Sequence, residues 1–158
     1  MIKITKPILQ KALIAGFFSA FTIGVLTVLT YKSTLGYFIA ASFGSSMVLL
    51  FGFPESPFAQ PKNVFFGHLV SASVGVFFVN LIPLPIYISI AFAVGIGIFL
   101  MILFDVVHPP AGGNPILVII GSVSYDYLIF PVITGCIIII LLAIFINKLI
   151  LKKKYPLK

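Results

Sequence analysis

Long apolar stretches constrain this chain more than any other feature. Five of them cover residues 12–31, 36–53, 64–82, 85–107 and 128–147. A helix of about 20 apolar residues crosses a bilayer core of about 30 Å. Only 8% of the residues are charged, against about 25% in a soluble domain, so a water-facing surface could not be covered. The 61% hydrophobic content also excludes disorder. We predict an all-α, polytopic membrane helix bundle forming a single transmembrane domain over residues 1–158.

The charges gather at the two ends of the chain. The chain has ten Lys and no Arg against three acids, for a net charge of +7. Eight of these Lys flank the apolar mass: Lys3, Lys6, Lys11, Lys148, Lys152, Lys153, Lys154 and Lys158. A nucleic-acid binder spreads its basic residues over a folded face, whereas flanking charges set membrane topology and meet anionic lipid. We therefore expect a lipid bilayer and no nucleic acid as partner, in a bacterial inner membrane with both termini cytoplasmic.

Three proline-rich breaks divide the apolar stretches. The first is PESPFAQP at 54–61, the second lies around Pro83, and the third is HPPAGGNP at 108–115. The third leads into an apolar segment, Ile116 to Gly121, that is too short to cross alone. Basic ends on one side require an even number of crossings. Six crossings, with the short segments completing their passage, and four crossings with re-entrant segments both satisfy this requirement. We favour six because residues 36–53 can span.

The order of elements suggests an internal repeat. A shift of 69 residues places Gly44-Ser45-Ser46-Met47 over Gly113-Asn114-Pro115-Ile116. Residues 11–82 and 83–150 would then each hold a long helix, a broken short helix and another long helix. Three crossings per half would invert the second half relative to the first, as in many transporters.

The glycine-containing breaks are candidate binding sites. Asn is a favoured N-cap and Pro a favoured first helical residue, so Asn114 is expected to cap a short helix from Pro115 to Gly121. Gly112 and Gly113 would let a ligand approach, and a helix N-terminus attracts anions. The alternative is a buried turn whose N–H groups bind protein.

The counterpart in the first half is Gly44-Ser45-Ser46, where either serine could cap a second short helix from Met47 to Phe53. Small residues of this kind also serve close helix packing, which is the alternative.

Two histidines lie in apolar surroundings, His68 in the third stretch and His108 at the third break. An ionisable group in a membrane segment is a functional hypothesis by default, and His titrates near neutral pH. Either could therefore carry a proton together with an anion. The alternatives are an interfacial anchor for His108 and a helix–helix hydrogen bond for His68. Asp105, three residues before His108, could pair with it.

The first break forms a loop motif that holds most of the remaining polarity. Glu55 and Lys62 are expected to pair, and Gln60 and Asn63 to cap the next helix or to contact the other loop. The alternative is a proline-stiffened connector. The full motif set comprises Pro54, Glu55, Gln60, Asn63, Pro109 and Pro110.

Two segments, FGSSMVLLFGFPESPFAQPKNVFFGHLVSASVGV at 43–76 and HPPAGGNP at 108–115, resemble the HPP family of membrane proteins. The family takes its name from the motif matched at His108-Pro109-Pro110. The resemblance implies four membrane helices. It also implies nitrite transport, to which plastid and cyanobacterial members are linked. Gly-Asn-Pro at 113–115 departs from the small residues that many members carry there.

The sequence thus favours a transporter or channel for a small monovalent inorganic anion, with nitrite as the first candidate. The alternative is a structural or regulatory membrane subunit that needs a partner. We expect no enzyme, because no nucleophile–base pattern or nucleotide loop occurs. We also expect no cofactor and no metal, and a homo-oligomer remains open.

Overall fold

The computed structural model describes residues 4–157, and within that range every regular element is helical. The expected Lys3 and Lys158 flanks lie outside the described residues. The helices are α1 Lys6–Lys32, α2 Ala41–Met47, α3 Pro61–Leu81, α4 Ile86–Leu103, α5 Asn114–Ile120 and α6 Leu128–Ile150. A π-helical turn, Val48–Gly52, continues α2, and a 3-10 turn, Pro109–Gly113, precedes α5. The predicted all-α bundle is confirmed.

Four helices of the described chain, α1, α3, α4 and α6, are long and apolar enough to cross a membrane. Their outward faces carry large apolar side chains such as Phe17, Phe92 and Leu141, each more than half exposed. Such faces suit contact with lipid, because lipid does not penalise exposed apolar surface.

The chain between α1 and α3 runs the full length of the bundle. At its start, the Phe38 N–H donates to Thr30 Oγ1 at 2.9 Å. At its end, the Lys11 ammonium lies 4.0 Å from the centre of the Phe53 ring. Thr30 and Lys11 lie near opposite ends of α1, about 28 Å apart at 1.5 Å per residue. Residues 36–53, hereafter the first interrupted pass, therefore traverse the bundle as an extended stretch followed by α2 and its π-helical turn.

The chain between α4 and α6 also runs the full length of the bundle. Lys62 Nζ lies 3.2 Å from Asp105 Oδ2, and Asn80 Nδ2 donates to the Val123 carbonyl at 3.3 Å. Lys62 and Asn80 lie about 27 Å apart along α3. Residues 105–123, the second interrupted pass, thus join the two ends. The chain passes along the bundle six times: four passes are long helices, of which α6 is kinked at Phe130, and two are interrupted. The number of membrane crossings stays a prediction.

The two halves share the expected order of elements. The helical parts of the interrupted passes begin at Ala41 and at Pro109, within one residue of the 69-residue shift. In each half an extended stretch comes first and the short helix follows. Order alone does not establish a symmetry axis, so the inverted repeat stays a prediction.

Both ends of the described chain meet at one end of the bundle. Pro7, Lys11, Glu55 and Lys153 line a common surface cavity there. The buried Tyr155 donates its hydroxyl to the Ala59 carbonyl at 2.8 Å. Burial raises the pKa of Tyr155, so the hydroxyl stays protonated. The C-terminal tail is therefore fastened to the loop at residues 54–60.

We predict that Tyr155→Phe lowers the free energy of unfolding by about 1–3 kcal/mol, because the buried Ala59 carbonyl loses its donor. Thermal unfolding in detergent measures the change. Tyr125→Phe removes a hydroxyl from an exposed tyrosine and is the matched control. Equal melting temperatures for the two variants would contradict the fastening role of the tail.

Candidate functional site

Polar side chains of α3 donate hydrogen bonds to backbone carbonyls of the second interrupted pass. Asn63 Nδ2 donates to the Val107 carbonyl at 2.9 Å, and Ser71 Oγ donates to the Ala111 carbonyl at 2.6 Å. Proline at 109 and 110 cannot continue a helix from α4, so the Val107 carbonyl has no helical partner. The Ala111 carbonyl accepts a 3-10 bond from the Asn114 N–H but no α-helical bond, because Pro115 has no N–H. In a bilayer such groups must find partners within the protein. The break is therefore held against α3.

Two glycines on the same face of α3 bring the second interrupted pass into backbone contact. A Cβ atom on Gly67 would lie 2.7 Å from His108 Cβ, and one on Gly75 would lie 2.9 Å from Pro115 Cα. Asn63, Gly67, Ser71 and Gly75 are spaced by four residues and so form one stripe along the helix. This stripe places the His108 ring against α3.

Ser46 lies at the centre of a buried polar cluster. Its Oγ is 3.0 Å from His68 Nε2 and 2.8 Å from His108 Nε2. On the other side of His68, Asn114 Nδ2 lies 3.1 Å from Nδ1. The cluster thus joins α2, α3, the start of the 3-10 turn at His108 and the start of α5. It brings together Ser46, His68, His108 and Asn114, which the sequence analysis singled out separately.

The cluster is closed to solvent. Ser46 and His108 are 0% exposed, and His68 and Asn114 are 1% exposed. The two imidazole centroids lie 4.9 Å apart, and the edge of Phe43 packs against His68 with centroids 5.1 Å apart. Because the surroundings are apolar, every N–H and O–H of the cluster has to be matched to an acceptor inside the protein.

The hydrogen-bond partners fix which ring nitrogens carry hydrogen. His108 Nδ1 lies 2.7 Å from the Phe58 carbonyl, which can only accept, so Nδ1 carries the hydrogen. Asn114 Nδ2 also donates to the His68 carbonyl at 3.2 Å, which orients the amide, so His68 Nδ1 accepts and Nε2 carries the hydrogen. Ser46 then accepts from His68 Nε2 and donates to His108 Nε2. In this arrangement both imidazoles are neutral, and one directed chain runs from Asn114 to Phe58; the Ser42 carbonyl, 3.2 Å from Ser46 Oγ, is a second acceptor for the Ser46 hydroxyl.

Ser42 lies one helical turn before Ser46 on α2 and is 6% exposed. Its buried Oγ makes no hydrogen bond among the described residues. Residues four apart share a helix face, so this hydroxyl extends the polar line of Ser46 along α2.

The expected helix caps are wrong. Asn114 is the first residue of α5, and its side chain binds His68 in place of the α5 backbone. α2 begins at Ala41, so Ser45 and Ser46 lie in its last turn and not at its start. In both cases helical backbone precedes the expected cap, since the 3-10 turn runs directly into α5 and α2 begins at Ala41, so the Asn114 and Ser46 side chains bind the buried His68 ring.

The other glycine and proline candidates lie beside the cluster without taking part in its hydrogen bonds. Gly44 and Ser45 are exposed on the far face of α2. Gly112 and Gly113 are half-buried in the 3-10 turn, where Pro109 is exposed and Pro110 half-buried. The prolines and glycines at 109–113 form the turn that places Asn114 beside His68.

Two expected ion pairs are wrong. Glu55 is exposed, and Lys62 pairs with Asp105. Asp105 is 97% exposed and makes no pair with His108, whose ring points inward to Ser46 and Phe58. Exposed acids gain more from water and a flexible lysine than from a ring held inside the bundle.

The loop motif connects the ends of three segments. The predicted contact of Asn63 with the other loop is confirmed by its bond to Val107. Gln60 occupies the N-cap position of α3, but its side chain makes no capping bond. Its Nε2 donates to the carbonyls of Pro54 and Ser56, and its Oε1 accepts from the Leu157 N–H. These hydrogen bonds of Gln60 hold the loop at residues 54–60 in the conformation in which the Phe58 carbonyl accepts from His108 Nδ1.

Sequence reasoning missed three contributors: Ser42, Ser71 and the Phe58 carbonyl. The four-residue spacing of Ser42 with Ser46, and of Ser71 with Asn63 and Gly67, is a signal that could have identified the two serines. A backbone carbonyl carries no such signal.

A family model described as "HPP, transmembrane region" matches residues 4–156. The chain belongs to the HPP transmembrane family. It is accordingly an integral membrane protein, and the resemblance noted above is confirmed.

Two transmembrane proteins of Dictyostelium discoideum are similar to this HPP chain. One is 34% identical over 146 residues and the other 33% over 143, in each case 84% of this chain. These matches cover 46% and 50% of the relatives, so the chain spans about half the length of the curated relatives it matches. No solved structure matches.

We predict that Gly67→Ala destabilises the protein by about 1–3 kcal/mol, because the added methyl group collides with His108. Gly95→Ala is the matched control, since a Cβ atom on that exposed α4 glycine meets nothing within 4 Å. Alanine favours helix by up to about 1 kcal/mol over glycine, so the control is expected to melt no lower than wild type. A Gly67→Ala protein as stable as the control would show that the close contact with His108 is dispensable.

Proposed function

We propose that this HPP protein transports a small monovalent inorganic anion across the membrane through the cluster of His68, His108, Ser46 and Asn114. The observation that carries the proposal is the burial of this hydrogen-bonded cluster, with the free Ser42 hydroxyl beside it, between two interrupted passes. Interrupted helices that meet within a bundle are where many transporters bind their substrates.

The donors of the cluster suit a small anion. Hydroxyl, amide and imidazole N–H groups can replace the water that an anion loses on entering the bundle. Ser42 offers an unused hydroxyl, and Ser46 can redirect its own. A flat, singly charged ion such as nitrite can accept hydrogen bonds from two such donors at once.

The absence of a fixed cation from the cluster favours passage over retention. Its four side chains are neutral in the hydrogen-bond arrangement described above, and the nearest lysine on α3, Lys62, lies about 9 Å along the helix from His68. An Arg clamp of the kind that holds phosphate tightly is missing, since the sequence contains no Arg. Weak binding allows release, which transport requires.

Nitrite is our first candidate substrate because the HPP resemblance implies it and the donor set fits its size and charge. We also propose a bacterial inner membrane and cytoplasmic termini, because the basic residues at both ends meet at one end of the bundle. That places the loop at residues 54–60 and the Lys62–Asp105 pair on the cytoplasmic side.

Uptake by the purified protein in liposomes tests the proposal. We expect nitrite to enter faster than into protein-free vesicles. Ser46→Ala should slow entry by about tenfold, because the central hydrogen bonds of the cluster are lost. Ser45→Ala is the matched control, since its exposed neighbouring hydroxyl lies outside the cluster, and it should transport as wild type does.

The outcomes separate the alternatives. Equal nitrite rates for Ser46→Ala and wild type would overturn the role of the cluster. Entry of nitrate, formate or chloride in place of nitrite would keep anion transport and change the substrate. No uptake of any of the four by the folded protein would favour a structural or regulatory subunit that works beside a partner.

A further inference from the structure

The Ser46 hydroxyl has two acceptors within reach. One is His108 Nε2 at 2.8 Å, and the other is the Ser42 carbonyl one turn earlier at 3.2 Å. A hydroxyl donates one hydrogen bond at a time, so these two bonds are alternatives. The oxygen meanwhile remains available as an acceptor to both imidazoles.

We infer that the cluster binds one exchangeable proton at His108 Nε2, with Ser46 switching its hydroxyl to accommodate it. When the cluster opens to solvent, the Nε2 lone pair accepts a proton from hydronium, which leaves as water, and the new N–H donates to Ser46 Oγ. The Ser46 hydrogen rotates from His108 to the Ser42 carbonyl, and the Ser46 O–H bond stays intact. Ser46 then accepts from both rings, so each donor and acceptor named here stays paired.

The same geometry directs the proton to His108 and away from His68. The free lone pair of His68 is at Nδ1, which already accepts from Asn114, whose amide is oriented by the His68 carbonyl. A proton there would face an N–H donor. His108 Nε2 faces a hydroxyl that can turn.

Few other ionisable groups can compete for this proton. The segments packed against His108 are the first interrupted pass with its following loop, α3, α4 and α5. Apart from His68, the charged or titratable residues on these segments and on the second interrupted pass are Tyr37, Glu55, Lys62, Tyr87 and Asp105. Glu55, Lys62 and Asp105 lie at the end of the bundle that holds both termini, and Lys62 and Asp105 neutralise each other. Cys136 on α6 is buried in the core with Phe43.

The coupling consequence rests on the proposed function. A protonated His108 beside a bound monovalent anion leaves the cluster neutral overall, which lowers the barrier to passage through a medium of low dielectric. Anion and proton would therefore move together, and acidification of the side from which the anion enters should speed its entry.

Solid-state ¹⁵N NMR of the protein in lipid, labelled at histidine, tests the proton site without any transport assay. The chain has two histidines, so the wild-type spectrum alone is decisive. We expect one ring with hydrogen at Nε2 and the other with hydrogen at Nδ1. On acidification, the Nδ1–H ring should gain the second hydrogen while the other ring keeps its form. Two rings of the same form, or first protonation of the Nε2–H ring, would overturn the inference.

Variants at Ser46 connect the proton to transport. In wild type and in Ser46→Thr, which keeps the hydroxyl, nitrite uptake should rise several-fold on acidification. In Ser46→Ala the remaining uptake should be flat with pH. A flat wild-type profile would refute the coupling. The expected NMR pattern without any uptake would refute the transport proposal and leave the proton site standing, so the two failures are distinguishable.

Discussion

The free carbonyls of an interrupted helix in a medium without water are the constraint on which this structure depends. Each such group has to be paired inside the protein. The 3-10 turn at Pro109–Gly113 leaves the Val107 carbonyl without a helical donor and the Ala111 carbonyl with the Asn114 N–H alone, and Asn63 and Ser71 of α3 donate to them. These bonds hold the second interrupted pass along α3, and the position of His108 follows from them. Asn63 and Ser71 of α3 thus bind backbone carbonyls of the second interrupted pass, and these bonds determine where His108 lies in the site.

The cluster draws its members from both halves of the chain. Ser46 comes from the first interrupted pass, His68 from α3, and His108 and Asn114 from the second interrupted pass. Within each interrupted pass, the short helix presents a polar side chain to the centre while its extended stretch covers the remaining depth of the bundle. A continuous helix at either place would keep its backbone satisfied, but it would bring Ser46 and Asn114 to a different depth and rotation relative to the rings.

Composition and run lengths were sufficient to predict a helical membrane bundle, and the basic ends predicted that both termini lie at one end of it. His68, His108, Ser46 and Asn114 were also predictable as site residues, because the chain has two His and four Asn and because Ser46 lies in a glycine-containing break. Their geometry was not. Asn114 and Ser46 carry strong capping preferences, yet partners 46 and 22 residues away decide where their side chains bind. Local sequence encodes propensity, whereas the choice of partner is made by packing. The pairing of Lys62 with Asp105 instead of Glu55 has the same origin, since it depends on which segment ends beside α3.

The stripe of Asn63, Gly67, Ser71 and Gly75 has a mechanical consequence. At Gly67 and Gly75, α3 contacts the second interrupted pass without a side chain of its own in between. The two segments cannot slide past each other, because the larger neighbouring residues would collide. α3 and the second interrupted pass therefore move as one rigid unit. Any rearrangement that admits an ion has to separate α2 from this unit, at the interface where Ser46 Oγ is hydrogen-bonded to both imidazole rings.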